Sequence, residues 1–167
     1  MTYTEQFRQT LEANIPNCKE LMYDFFITFS RFESALQNTG RFIIAERGEA
    51  NWDLFAASIK DKFNPKKSSQ VADAVDYIIN NPPMKIAEKN GKLVWEQSVR
   101  GKKEPIAYCL NIYIRRIRNN VLHGGKFKGK YTPESRNFQL ITHALIILND
   151  WLEYDVEVRE NFLARIL

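Results

Sequence analysis

The chain has 167 residues and a net charge of +4, with 44% hydrophobic and 26% charged residues. This length and composition are typical of one soluble globular domain with its own core, spanning residues 1–167. No apolar run approaches the roughly 18 residues of a membrane-spanning helix, and the N-terminus is too polar for a signal peptide, so we expect a cytoplasmic protein.

The first half of the chain has helical periodicity throughout. Apolar residues spaced by three and four predict four helices, at residues 4–13, 16–38, 50–63 and 68–79. In the first, Phe7 and Leu11 should face inward. Ser68 or Ser69 should cap the fourth, which the sequence NNPP ends.

The pattern changes in the second half. Between two short runs, Asn90-Gly91 signals a β-hairpin, so we predict a small insertion around residues 84–99 rather than a second domain. Two long helices then follow, at residues 104–123 and 133–154, with a short last one after them. The expected fold is an all-α bundle of five to seven helices with this small hairpin.

Positive charge is concentrated in one part of the chain. Residues 100–130 contain nine lysines and arginines but only one acid, Glu104, whereas the remaining residues carry a net negative charge. Such a segment attracts phosphate-bearing partners such as RNA, DNA or nucleotides. The alternative is a solvated basic loop.

The same segment contains the densest polar stretch, IRRIRNNVLHGGKF, at residues 114–127. On an ideal helix Arg116, Asn119 and His123 share one face, and Arg118 lies about 140° from the histidine. Histidine transfers protons near neutral pH, and arginine binds phosphate and stabilises developing negative charge. These are the parts of a metal-free phosphodiester-cleaving site. A capping histidine beside solvated arginines is the alternative.

The sequence RNNVLH, residues 118–123, resembles the R-x4-6-H motif of the HEPN superfamily. The longer RNNVLHGGKF is similar to HEPN proteins in which Gly-Gly-Lys follows the histidine, and FSRFESAL resembles the first core helix of bacterial HEPN domains. The resemblance implies a helical bundle, usually a homodimer. It also implies, in many members, a metal-independent endoribonuclease that uses the ribose 2′-OH and acts as a toxin, phage-defence effector or RNA-processing enzyme.

Carried onto this chain, the resemblance makes Arg118 and His123 catalytic and Asn119 supporting. Arg116 also has the right spacing from His123, and the sequence leaves open which arginine pairs with it. The resemblance and the basic segment together suggest a set of RNA- or phosphate-binding residues: Arg115, Arg116, Asn120, Lys126 and Lys128. Glu33 and Tyr113 are accessory candidates, with a surface ion pair and a core position as the respective alternatives.

No metal or other cofactor is expected. The cysteines, Cys18 and Cys109, lack CxxC spacing and are interpreted as reduced core thiols, and His143 as a core or boundary histidine. The expected partners are RNA, a second copy of the chain and, for a toxin, an antitoxin protein. Two other functions stay open: a non-catalytic HEPN module that binds RNA, a nucleotide or a protein, and a helical scaffold without a nucleic-acid role.

Overall fold

A computed structural model describes residues 1–14, 19–97, 99, 104–122 and 135–164. Within these ranges the chain is mostly helical, as predicted, and has one small antiparallel sheet. The helices are α1 (Tyr3–Asn14), α2 (Lys19–Asn38), α3 (Trp52–Ile59), α4 (Ser69–Asn80), α5 (Ile106–Leu122), α6 (Arg136–Trp151) and α7 (Val156–Leu163). The strands are β1 (Lys85–Lys89) and β2 (Lys92–Glu96).

Polar side chains fix where several helices begin. The Ser68 hydroxyl accepts a hydrogen bond from the Val71 amide at 3.2 Å, which confirms the predicted cap of α4. Helix α6 begins later than predicted, because Ser135 has extended backbone and its hydroxyl accepts from the Phe138 amide. Helix α3 is shorter than predicted and ends at Ile59.

The core is built on α2, α5 and α6. Helix α6 packs on α4 and α2, α3 packs on α5, and α7 packs on α2. Aromatic rings connect these layers: Phe32 stacks on Trp52 at 5.0 Å, and Phe55 meets Trp151 edge-on at 6.0 Å. All four rings are nearly or completely buried, so these contacts join α2 to α3 and α3 to α6 inside the core.

Helix α1 forms where the periodicity predicts it, but its packing was predicted wrongly. Phe7 is 54% exposed rather than inward, and Tyr3 is 89% exposed. The side chain of Leu11 lies outside the described part of the structure. The helical spacing therefore predicted the helix correctly, but it did not predict whether another element covers its apolar face.

The predicted insertion is a two-stranded hairpin. Asn90 and Gly91 have φ values of 52° and 75°, the left-handed pair that a tight two-residue turn requires. Ile86 pairs with Trp95 and Glu88 with Leu93, so these four side chains lie on one face of the hairpin.

Three side chains attach the segment before the hairpin to the bundle. The Arg116 guanidinium donates to the Pro83 carbonyl at 3.1 Å, and the Asn120 amide donates to the Met84 carbonyl at 2.9 Å. Arg136, from α6, donates to the Pro82 carbonyl. The hairpin therefore starts from a fixed point beside α5.

None of the described helices combines the length and apolar character needed to cross a bilayer.

Candidate functional site

The polar residues of α5 point in two directions. Arg115, Arg118 and Asn119 have the spacing i, i+3, i+4 and line one cleft together. Arg116 and Asn120, also one turn apart, instead meet the segment that precedes the hairpin. The two arginines that compete for pairing with His123 thus have different neighbours.

Arg118 lies against the acidic candidate on α2. Its Nη2 is 3.2 Å from Glu33 Oε1 and 3.4 Å from Oε2, and its Nη1 donates to Asn119 Oδ1 at 2.9 Å. The guanidinium also lies over the Phe29 ring, 4.9 Å from its centroid. Phe29 and Glu33 are one turn apart on α2, so that helix supplies both a flat surface and a charge for Arg118.

Trp52 also binds the Glu33 carboxylate. Its indole Nε1 donates to Glu33 Oε1 at 3.1 Å. The indole is 2% exposed and stacks on Phe29 at 4.9 Å. A buried ring thus fixes Glu33, and Glu33 in turn fixes Arg118. The sequence assigned Trp52 only to the core, although its single N–H donor was the available signal, since a buried indole usually finds an acceptor.

The Arg118–Glu33 pair borders an open cleft of about 340 Å³. Its charged lining consists of Arg115, Arg118, Glu33 and Glu49, with Asn119 and Gln37 beside them. Charges of both signs are therefore balanced in this cleft. Arg118 and Glu33 are each 32% exposed at the side chain, so solvent reaches the pair.

Arg115 has a looser partner. Its Nη1 lies 3.5 Å from Asp53 Oδ1, and Asn111 donates to the same oxygen at 2.8 Å. The Arg115 and Asp53 side chains are 44% and 71% exposed, so this ion pair contributes little and opens readily. Asp53, in the first turn of α3, was not singled out from the sequence.

Three other predicted residues have structural surroundings. Asn120 is 5% exposed with its amide donating to Met84, and Arg116 binds the Pro83 carbonyl and lies over the Tyr113 ring at 5.5 Å. Tyr113 is 2% exposed, so it occupies the core position that was its alternative. The fold thus already uses the amide of Asn120 and part of the Arg116 guanidinium.

The other half of the predicted motif lies outside the described residues: His123, Lys126 and Lys128, with most of the basic segment. His123 follows Leu122, the last residue of α5, directly in the sequence. Across the described ranges, no three His, Cys, Asp or Glu side chains are grouped as metal ligands would be.

His143 is far from this cluster in the sequence and is half-buried beside Tyr77, with 4.6 Å between ring centroids. Burial lowers its pKa, and the negative charge of Asp73 opposes that effect only in part. Its Nδ1 has no hydrogen-bond partner within the described structure. His143 is therefore a boundary residue that favours its neutral form. The Cys109 side chain is a buried thiol, and Cys18 lies outside the described residues.

Compared with protein-family models, with curated proteins and with solved structures, the chain has no significant match to any of them.

Proposed function

We propose that the chain is a metal-independent endoribonuclease of the HEPN type. The observation that carries the proposal is the Arg118 cluster: an arginine in the last turns of α5 is aligned by Glu33, Asn119 and Phe29 at an open cleft. In the sequence, four residues separate Arg118 from His123. A fixed, partly exposed guanidinium is suited to bind a phosphate and to stabilise added negative charge.

In the proposed reaction the ribose 2′-OH attacks the adjacent phosphorus and the 5′ oxygen leaves. His123 takes the proton from the 2′-OH or gives one to the leaving oxygen. Arg118 stabilises the negatively charged phosphorane, and Asn119 holds its guanidinium. The products are a 2′,3′-cyclic phosphate and a 5′-hydroxyl. DNA lacks the attacking group and is not cut.

We assign Arg118 rather than Arg116 as the partner of His123. Arg118 is followed by the polar Asn119, as in the HEPN motif, and its guanidinium faces the cleft. Arg116 has structural contacts with Pro83 and Tyr113. Its assigned role is to attach the hairpin segment and to add positive charge nearby.

The proposed active form is a homodimer in which two copies of the motif meet. Support comes from an exposed apolar stripe on α2, where Tyr23, Phe26 and Ile27 are 64%, 53% and 38% exposed. The stripe leads into an apolar cleft of about 240 Å³ that also touches Glu33 and Arg118. Contiguous apolar surface of this kind marks an interaction site, and a second copy bound there would lie next to the Arg118 cluster.

One experiment tests the proposal directly. Purified protein is incubated with structured RNA in EDTA, in parallel with His123→Ala, Arg118→Ala and the control Arg159→Ala. Arg159 is a partly exposed arginine on α7, paired with Glu153. We expect wild type and Arg159→Ala to cleave, and the two motif variants to lose at least about 100-fold in rate. Equal cleavage by His123→Ala would overturn the assignment.

The second candidate is a non-catalytic module that binds RNA. A positively charged groove on the hairpin side of α5 favours it, since such a groove would bind a strand whether or not catalysis follows. In the same assay this candidate predicts RNA binding by gel shift, no cleavage by the wild type, and no effect of His123→Ala on affinity.

A further inference from the structure

A second groove lies on the other flank of α5, between this helix and the hairpin. Its volume is about 680 Å³, within the roughly 300–1,000 Å³ typical of ligand sites. Arg115 and Asn119 line both this groove and the cleft of the Arg118–Glu33 pair, so they form the wall between the two. A ligand in the groove would therefore lie directly beside the candidate site.

The two depressions differ in charge. The Arg118 cleft has two glutamates opposite its two arginines, whereas the groove is lined by Lys85, Arg115 and Arg116 with no acid among its described lining. Of the two acids on the hairpin, Glu88 shares the face of Ile86 and Leu93 but does not line the groove. Glu96 lies on the opposite face and is paired with Lys89 at 2.5 Å. A polyanion is accordingly attracted to the groove more strongly than to the cleft.

The groove also exposes apolar side chains. Ile86 and Leu93 share one face of the hairpin and lie across from Ile112 of α5. Leu93 is 78% exposed, so it contributes little to the core. Apolar side chains beside lysine and arginine match a nucleotide, whose base is flat and apolar on its faces and whose phosphate is charged.

The groove follows α5 toward the candidate motif. On α5 its lining residues have the spacing i, i+3, i+4, i+7, i+8 and so follow one side of the helix: Ile112, Arg115, Arg116, Asn119 and Asn120. Leu122, the last residue of the helix, precedes His123 in the sequence. A strand lying in the groove would thus be directed to the end of the helix that carries the candidate catalytic residues.

We propose that the groove between the hairpin and α5 is a subsite for single-stranded RNA. It binds one nucleotide next to the scissile phosphate, with the base on Leu93 and Ile86 and the phosphate on Lys85 and Arg115. The hairpin is thereby a substrate-binding element. This inference rests on the proposed ribonuclease function for the position of the scissile phosphate, but RNA binding in the groove is testable without cleavage.

The test measures the affinity of a fluorescent single-stranded RNA by anisotropy at several salt concentrations, in the His123→Ala background so that the probe stays intact. Lys85→Ala and Leu93→Ser change exposed side chains, so folding is preserved. The matched controls are Lys60→Ala and Leu54→Ser. Lys60 is an exposed lysine directly after α3, and Leu54 is an exposed leucine on the surface of α3.

We expect Lys85→Ala to weaken binding about threefold to tenfold and to reduce the magnitude of the salt slope by about 1. Leu93→Ser should weaken binding about threefold at every salt concentration, because the lost contact is apolar. Both controls should bind like the parent. Unchanged affinity of both hairpin variants would overturn the subsite, as would a preference for a free mononucleotide over the strand.

The two proposals fail in different ways. If the wild-type chain cleaves RNA but Lys85→Ala and Leu93→Ser bind and cleave normally, the subsite is wrong and the ribonuclease proposal stands. If the wild type cleaves nothing but both variants lose RNA affinity, the ribonuclease proposal fails and the groove stands as an RNA-binding site.

Discussion

The Arg118 guanidinium and the Glu33 carboxylate lie 3.2 Å apart, although 85 residues separate them in the sequence. Trp52 binds the same carboxylate and Phe29 lies under the guanidinium, so the pair is aligned by buried aromatic residues rather than left to rotate in solvent. An exposed ion pair of this kind contributes at most about 1 kcal/mol to stability. For the proposed reaction, the alignment of Arg118 by Glu33 is therefore more important than the contribution of this ion pair to folding stability.

Replacing Glu33 with glutamine should separate these two effects. The Glu33→Gln variant keeps a side-chain oxygen that can accept from Trp52, but the charge that holds Arg118 is lost. We expect kcat for RNA cleavage to fall about tenfold, because a loosened guanidinium is misplaced in the transition state. KM should stay constant or fall, since the surroundings of Arg118 lose a negative charge that repels RNA. The free energy of unfolding should change by less than about 1 kcal/mol. An unchanged kcat would remove Glu33 from the site.

Asn119 and Asn120 are neighbours with opposite expected roles. Asn120→Ala removes a 5% exposed amide and leaves the Met84 carbonyl without its donor, so it should cost about 1–3 kcal/mol in the free energy of unfolding. Asn119→Ala removes an exposed side chain and should cost less than about 0.5 kcal/mol while reducing cleavage. Urea denaturation of both variants measures the difference, and equal destabilisation would contradict these assignments.

The apolar stripe on α2 is expected to be the dimer surface. Phe26→Glu places a charge on a residue that is 53% exposed and lines the apolar cleft. We expect analytical ultracentrifugation to show a monomer that retains its helical circular dichroism but has lost cleavage. Val156→Glu, at a 57% exposed position that begins α7, is the matched control and should stay dimeric and active. A Phe26→Glu variant that remains dimeric would place the interface elsewhere.

His143 should make stability depend on pH. Its pKa is lowered in the folded state, chiefly by burial, so the unfolded chain binds the proton more tightly. Above the unfolded pKa of about 6.5 both states are neutral at this residue and the effect is absent. As pH falls through that value, stability is lost. His143→Phe should therefore lose less stability between pH 8 and pH 5.5 than the wild type in urea titrations. Equal losses would show that His143 does not contribute.

Local patterns predicted the elements well because they reflect local physics. The Asn90-Gly91 turn and the Ser68 cap are specified by residues next to one another, and both were predicted. The exposure of Phe7 was not, since spacing along a helix does not reveal whether another element covers it. The contribution of Trp52 to the candidate site was also missed, because only the packing of α3 beside α2 brings its N–H to Glu33.

The different surroundings of Arg116 and Arg118 could not be predicted from local patterns either. Helix geometry alone placed Arg116 and Arg118 on different faces, but it did not show what lay opposite each of them. The surroundings of Arg116 are set by the segment before the hairpin, whose carbonyls accept hydrogen bonds from Arg116 and Asn120. The surroundings of Arg118 are set by Glu33 on α2. All three contacts join residues that are distant in the sequence, so no local pattern contains them.

The proposed ribonuclease function is tested most directly by the chemistry of the ends produced from RNA. The wild-type chain is incubated with RNA in EDTA, and the termini of the fragments are identified by mass spectrometry. The proposed mechanism produces 2′,3′-cyclic phosphate and 5′-hydroxyl ends, and we expect no such fragments from His123→Ala or Arg118→Ala. Fragments with 3′-hydroxyl and 5′-phosphate ends, or intact RNA after incubation with well-folded wild-type protein, would contradict it.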